Sequence, residues 1–197
     1  MRRLLIPTLV AVLALAGCAV PSARSTSQAN ADASATAHTP IHLEGRFAVD
    51  YTDQNGTTRN AYGNFDWREE AGTVTLQLRS PLGQTLALIE SAPGTATLEL
   101  PNRPPQTAPN VEELMQRVIG FGLPVDGMRY WIKGHPAPGS HASVENNSDG
   151  QISQLRQNDW LIHYVSYTPD QNPQPQRIDL SHEGSGPPIR VKLVFDE

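Results

Sequence analysis

His42-Leu43-Glu44-Gly45-Arg46-Phe47-Ala48-Val49-Asp50-Tyr51 alternates in chemistry. Leu43, Gly45, Phe47, Val49 and Tyr51 fall on one side of an extended chain, and His42, Glu44, Arg46, Ala48 and Asp50 on the other. Side chains of a strand point alternately to opposite faces, so the pattern predicts a strand with one buried face. Asp53-Gln54-Asn55-Gly56 follows, and Asn-Gly favours a hairpin turn because both residues accept a positive φ. Beyond it Ala61, Gly63, Phe65 and Trp67 repeat the period. After Glu70-Ala71-Gly72 come Val74, Leu76 and Leu78, then Leu86 and Leu88, and after Pro93-Gly94 come Ala96, Leu98 and Leu100. Consecutive alternating runs with short links predict an antiparallel meander of five strands.

Further along, the period changes. Asn110 is a good helix cap, and Val111, Leu114, Met115, Val118 and Ile119 recur at helical spacing on a single face. Gly120 and Gly122 end that helix. Leu123-Pro124-Val125 opens a shorter one through Met128, Trp131 and Ile132, stopped by Gly134. His135 to Asp149 reads as a loop or a weak strand. Strands return at 152–156, 160–167, 177–181 and 189–195. A twisted antiparallel sheet of about 9–11 strands curls towards a barrel, and the mid-chain helices would cover an open end. The 17 prolines and 15 glycines suit many turns and argue against a helical bundle.

At the start, Arg2 and Arg3 precede an apolar run of about 13 residues, too short to span a bilayer as a helix. It ends Leu15-Ala16-Gly17-Cys18, an aliphatic residue and two small ones before cysteine, which is the pattern of a bacterial lipoprotein signal. Residues 1–17 are therefore expected to be a signal peptide and Cys18, the sole cysteine, to carry the lipid. Three acyl chains at about 0.8 kcal/mol per buried CH₂ make a durable anchor. Ala19 in place of Asp at the next position favours the outer membrane. Residues 18–40 hold too little apolar surface for a core and are expected to form a flexible tether, the coil from 19 to 40 averaging roughly 25 Å. Residues 41–197 then make one domain.

Charge excludes some classes. Fifteen Lys and Arg against 20 Asp and Glu give −5; without Arg2 and Arg3 the count is 13 against 20, or −7. An acidic domain with no basic cluster argues against nucleic acid. No phosphate-binding glycine loop, nucleophile elbow or His-Glu-x-x-His spacing is present in the sequence. His135 and His141 lie in a Pro/Gly-rich loop without partners spaced for a metal and read as surface histidines. Asp66, Glu69 and Glu70 read as a solvated strand edge. No cofactor, no metal and no enzymatic activity are expected, and a monomer is.

Two features need a reason. Ser80-Pro81-Leu82-Gly83 is a tight turn with leucine at its tip, where polar residues are usual. Either Leu82 folds back onto the core or it protrudes into a bilayer or a partner; the pattern alone leaves both open. The inward set Phe47, Phe65, Trp67, Leu76, Leu78, Leu86, Leu88, Leu98 and Trp160 makes either a packed core, the commoner outcome, or an apolar cavity.

The run Leu43 to Val49, the Gly63-Asn64-Phe65-Asp66-Trp67 strand, the Ser-Pro-Leu-Gly turn, Ile119-Gly120-Phe121-Gly122, Leu123-Pro124-Val125, Tyr130-Trp131-Ile132-Lys133-Gly134 and Gln157 to Tyr164 together resemble the LolB family, from about residue 41 to the end. The resemblance implies an unclosed antiparallel β-barrel with a helical lid over an apolar cavity. It implies a receptor that accepts lipoprotein cargo from a LolA-type periplasmic chaperone and places it in the inner leaflet of the outer membrane. Leu82 inherits the membrane-inserting role of the family's protruding loop. The resemblance favours the cavity, with Leu114, Met115, Val118 and Trp131 as lid candidates. A carrier of phospholipid or another amphiphile is the alternative. The proline-rich segment 102–109 and residues 135–150 depart most from the family pattern.

Overall fold

Residues 40–53 and 55–196 are described by a computed structural model. The expected signal peptide, Cys18 and, but for Pro40, the expected tether lie outside them. The element order is β1 (Ile41–Thr52), β2 (Thr58–Glu70), β3 (Thr73–Arg79), β4 (Thr85–Ala92), β5 (Thr95–Glu99), β6 (Gln106–Ala108), then helices α1 (Val111–Val118) and α2 (Val125–Trp131). It continues with β7 (Ala142–Asn146), β8 (Ile152–Gln157), β9 (Trp160–Tyr167), β10 (Pro175–His182) and β11 (Arg190–Phe195).

All eleven strands form one antiparallel sheet, ordered β6-β5-β4-β3-β2-β1-β11-β10-β9-β8-β7. Chain neighbours pair throughout, with one exception: β1 pairs with β11, Gly45 opposite Phe195 and Asp50 opposite Arg190. β6 and β7 are the free ends, so the sheet is unclosed. The proline-rich segment thus contributes a sixth strand to the meander, and the 135–150 segment contributes β7.

Turn chemistry explains the short links. Ala71 and Gly72 both take positive φ (49° and 81°), as do Asn158 and Asp159 (51° and 62°), the geometry that matches the twist of paired strands. α1 starts where the Asn110 side chain accepts the Glu113 N–H at 2.8 Å. Glu112 and Glu113 sit in its first turn and Arg117 in its last, each at the helix end that favours its charge.

The inner face of the sheet carries the core. Phe47, Phe65, Trp67 and Leu76 are buried there as their alternation requires, and Leu78 is half-buried beside them. In β4 the phase is opposite to the expected one. Ala87 and Ile89 are buried, facing Leu78 and Leu76, while Leu86 and Leu88 are half-buried on the other face. The sequence Leu86-Ala87-Leu88-Ile89 is apolar at every position, so its alternation is silent. The irregular pairing between Leu78 and Arg79 fixes the phase.

Candidate functional site: an apolar cavity under two helices

The inner sheet face and the two helices enclose a cavity of about 60 Å³ whose exposed wall is entirely apolar. Phe47, Phe65, Trp67, Leu76 and Leu78 supply the β1–β3 wall, and Val191, Leu193 and Phe195 the β11 wall. The roof is Met115 of α1, Met128 and Ile132 around α2, and Phe121 and Leu123 of the link between them. The two methionines give that roof flexible, polarizable side chains.

Several expected lining residues lie elsewhere. Leu86 and Leu88 face outward for the reason of phase already given. Leu98 is buried on β5, the strand against which α1 packs, and does not line the cavity. Trp160 is buried at the start of β9, beside a separate chamber. Of the lid candidates, Met115 reaches the cavity; Leu114 and Trp131 are fully buried as packing residues and Val118 is half-buried. The β11 residues and Phe121 were not singled out in the sequence. Val191, Leu193 and Phe195 alternate strictly, and their pairing with β1 is what brings them to the cavity.

Polar side chains fasten α2 at two places. Glu69, 1 % exposed at the end of β2, meets Arg129 at 2.8 Å and Lys133 at 3.3 Å, and Arg129 also donates to the Gly72 carbonyl at 2.7 Å. Glu69 is thus a buried ion-pair centre and not a solvated edge, because α2 and the turn that follows it deliver two cations from far along the chain. Trp131 donates its indole N–H to Gln157 at 2.9 Å, and the Tyr164 hydroxyl donates to the Trp131 carbonyl at 2.9 Å. Burial pushes the Tyr164 phenol far above its ordinary value, with a smaller contribution from Tyr167. Burial raises Tyr167 to about 12, and that hydroxyl donates to the Ile152 carbonyl at 2.6 Å. His135, next to this fastening, is held below its ordinary value by burial and then by the Lys133 charge.

Asp66 also departs from the solvated reading. It is buried with Arg68 at 2.8 Å, Arg79 at 3.7 Å and His42 at 3.2 Å. Among the described residues His42, Glu44 and Asp66 bring ligand-type atoms within 4.8 Å of one another. The two arginines already satisfy the buried carboxylate.

At the β3–β4 turn Leu82 is 89 % exposed. The turn is closed by the Ser80 N–H to the Gln84 carbonyl at 2.7 Å and the Gly83 N–H to the Ser80 carbonyl at 2.9 Å. Beneath it, a Cβ on Gly63 would lie 1.9 Å from the Arg79 carbonyl oxygen, so glycine is what lets the turn seat against β2. The Leu82 side chain projects from this hydrogen-bonded turn into solvent.

The architecture is that of an unclosed antiparallel barrel with two helices across an apolar cavity. A solved DUF1329 family protein from Desulfovibrio piger shares this fold, with TM-score 0.51 and 7 % identity over 86 % of this chain and 92 % of its own. The family model described as outer membrane lipoprotein LolB matches residues 39–197. An outer-membrane lipoprotein LolB of Cupriavidus pinatubonensis is 42 % identical over 99 % of this chain and 94 % of its own. The corresponding protein of Ralstonia nicotianae is 40 % identical over 95 % and 93 %. The chain therefore belongs to the LolB family. It is an outer-membrane, lipid-anchored protein of a family of lipoprotein transport receptors, not an enzyme family.

Proposed function

We propose that this protein takes acylated lipoproteins from a LolA-type periplasmic chaperone and inserts them into the inner leaflet of the outer membrane, holding their acyl chains in the apolar cavity. The wholly apolar wall carries this reading. A chain of about 16 carbons loses roughly 0.8 kcal/mol per CH₂ exposed to water, so free release is negligible and transfer runs cavity to cavity. Each step runs towards higher affinity, and the bilayer is the deepest well. Cys18 anchors the receptor, and the lipid anchor is not needed for the cavity to fill.

At about 60 Å³ the cavity has room for a few waters and no acyl chain, so the enclosed form is the closed state. α1 and the Phe121 link move outward to open it, while α2 stays fastened by Glu69 and Gln157. Leu82 enters the membrane, gaining about 1.5–3 kcal/mol, a factor of roughly 10–150 in membrane affinity. Crosslinking transfer from a loaded LolA-type donor tests the proposal. A Cys18→Ser form takes up cargo as well as the parent, and Leu82→Glu takes up cargo but fails to deposit it. A folded Cys18→Ser form that receives no cargo defeats the cavity reading; parent-rate deposition by Leu82→Glu defeats the role of Leu82.

A further inference from the structure

A groove of about 180 Å³ lies where the start of β1, the start of β10, the end of β11 and the turn after α2 come together. Ile41, Leu43, Ile132, Pro175 and Phe195 give it an apolar lining, and Gln174 stands at its exposed side. Ile132, Pro175 and Phe195 are buried, and Ile41 and Leu43 are half-buried. The Asp196 N–H donates to the Glu44 carbonyl at 2.9 Å, which keeps the end of β11 beside the start of β1. Gly134, at φ 74°, seats the turn after α2 so that a Cβ there would lie 3.5 Å from the Pro175 ring.

Two features set this groove apart. Ile132 and Phe195 line it and the apolar cavity alike, so two side chains stand between the two spaces. Ile41, the first residue of β1, also lines it, so the chain that precedes the domain enters at the groove itself. The 22 residues from 19 to 40, as the coil that their composition predicts, average roughly 25 Å end to end. Cys18 is therefore within reach of the groove.

We propose that the groove is a portal for the receptor's own anchor: away from a bilayer, an acyl chain on Cys18 lies in it, passes Ile132 and Phe195 and caps the cavity against cargo. The inference rests on the proposed acyl-chain cavity. A tether of this length holds the chain at an effective concentration in the millimolar range. About 1 mM against a dissociation constant of about 0.1 mM lowers the apparent affinity of any outside ligand about tenfold. A bilayer is the deeper well for the same hydrocarbon, so arrival at the membrane withdraws the anchor and frees the cavity. The receptor is thus shut in transit and open once anchored.

The sole thiol makes this testable. The exported chain, Cys18 to Glu197, is purified without lipid and alkylated with N-hexadecylmaleimide or, as control, N-ethylmaleimide, and titrated with a fluorescent fatty-acid probe. The hexadecyl form is expected to bind the probe about tenfold more weakly than the ethyl form, equally at all protein concentrations. Vesicles of phosphatidylethanolamine and phosphatidylglycerol should make the two forms converge. Ile41→Gln, which makes the lining polar, and Gln174→Trp, which fills the groove from its exposed side, should each restore probe binding to the hexadecyl form. Unchanged probe binding by their ethyl forms checks that both variants fold. Equal binding by the two parent forms without vesicles overturns the proposal, as does a deficit that grows with protein concentration, which marks a neighbour's anchor. A deficit that survives both groove variants overturns the portal. If the ethyl form of the parent does not bind the probe, the cavity proposal falls and this inference with it.

Discussion

Glu69→Gln removes the charge on which α2 is fastened. Glu69 is almost wholly buried, and Arg129 and Lys133 are 16 % and 11 % exposed, so both cations lose a desolvated counter-charge together. Breaking a buried ion pair by removing one partner costs about 3–5 kcal/mol. Glutamine keeps one acceptor, and Arg129 keeps the Gly72 carbonyl at 2.7 Å, which places the loss near the lower end, about 3 kcal/mol. For a domain of this size each kcal/mol moves the Tm by about 2–4 °C, so a fall of about 6–12 °C is expected in thermal unfolding followed by circular dichroism. A loosened α2 should also speed exchange of an apolar probe. The companion triple variant Glu69→Leu, Arg129→Met and Lys133→Met replaces the cluster with apolar bulk and recovers most of the Tm, but not the slow exchange of the parent. A Glu69→Gln Tm within about 2 °C of the parent refutes the reasoning, because a buried carboxylate facing two cations cannot be silent.

Phe121→Ala removes the ring shared by the cavity and the chamber beside Trp160; it costs about 3–5 kcal/mol in denaturant unfolding and raises the association rate of an apolar probe severalfold, seen by stopped-flow fluorescence. The raised phenols set an alkaline limit: an unfolded tyrosine loses its proton near 10, while the buried Tyr167 keeps it to about 12. The unfolded state binds fewer protons in that window, so stability falls as pH rises from 10 towards 12, and Tyr167→Phe flattens the decline in unfolding measured against pH. Gly63→Ala forces a Cβ onto the Arg79 carbonyl; a loss of about 1–3 kcal/mol and raised hydrogen exchange at Ser80–Gln84 are expected.

Sequence alone exposes those parts of this fold that depend on local period. β1, β2, β8, β9 and both helices follow from alternation or helical spacing, and β11 is read off Val191, Leu193 and Phe195 in the same way. β4 defeats the method because Leu86-Ala87-Leu88-Ile89 is apolar in both phases, and a pairing irregularity in β3 decides between them. The candidate site was legible where a strand supplied the residue and illegible where the link did: Phe121 reads as part of a glycine-rich helix stop. Glu69 and Asp66 look solvated in sequence, since the arginines and lysine that neutralise them arrive through tertiary contacts. Trp160 and Leu98 were recognised as buried, but burial does not say in which compartment. Leu82 is legible only as an oddity, since its exposure depends on how the turn between β3 and β4 is seated.

The pairing of β1 with β11 joins the first strand of the domain to its last, while every other ladder links chain neighbours. Local hairpins close over short loops and form quickly, whereas a contact between distant segments must first overcome the entropy of a long loop. The topology thus divides into two half-sheets of local hairpins, β1–β6 and β7–β11, that meet along a single seam. Substitutions in that seam, such as Val191→Ala, should leave the refolding rate nearly unchanged and speed unfolding, while those in the β2–β3 hairpin slow refolding. The same seam divides the apolar space, with Phe47 and Phe65 on one side and Leu193 and Phe195 on the other, so the pocket needs both half-sheets joined.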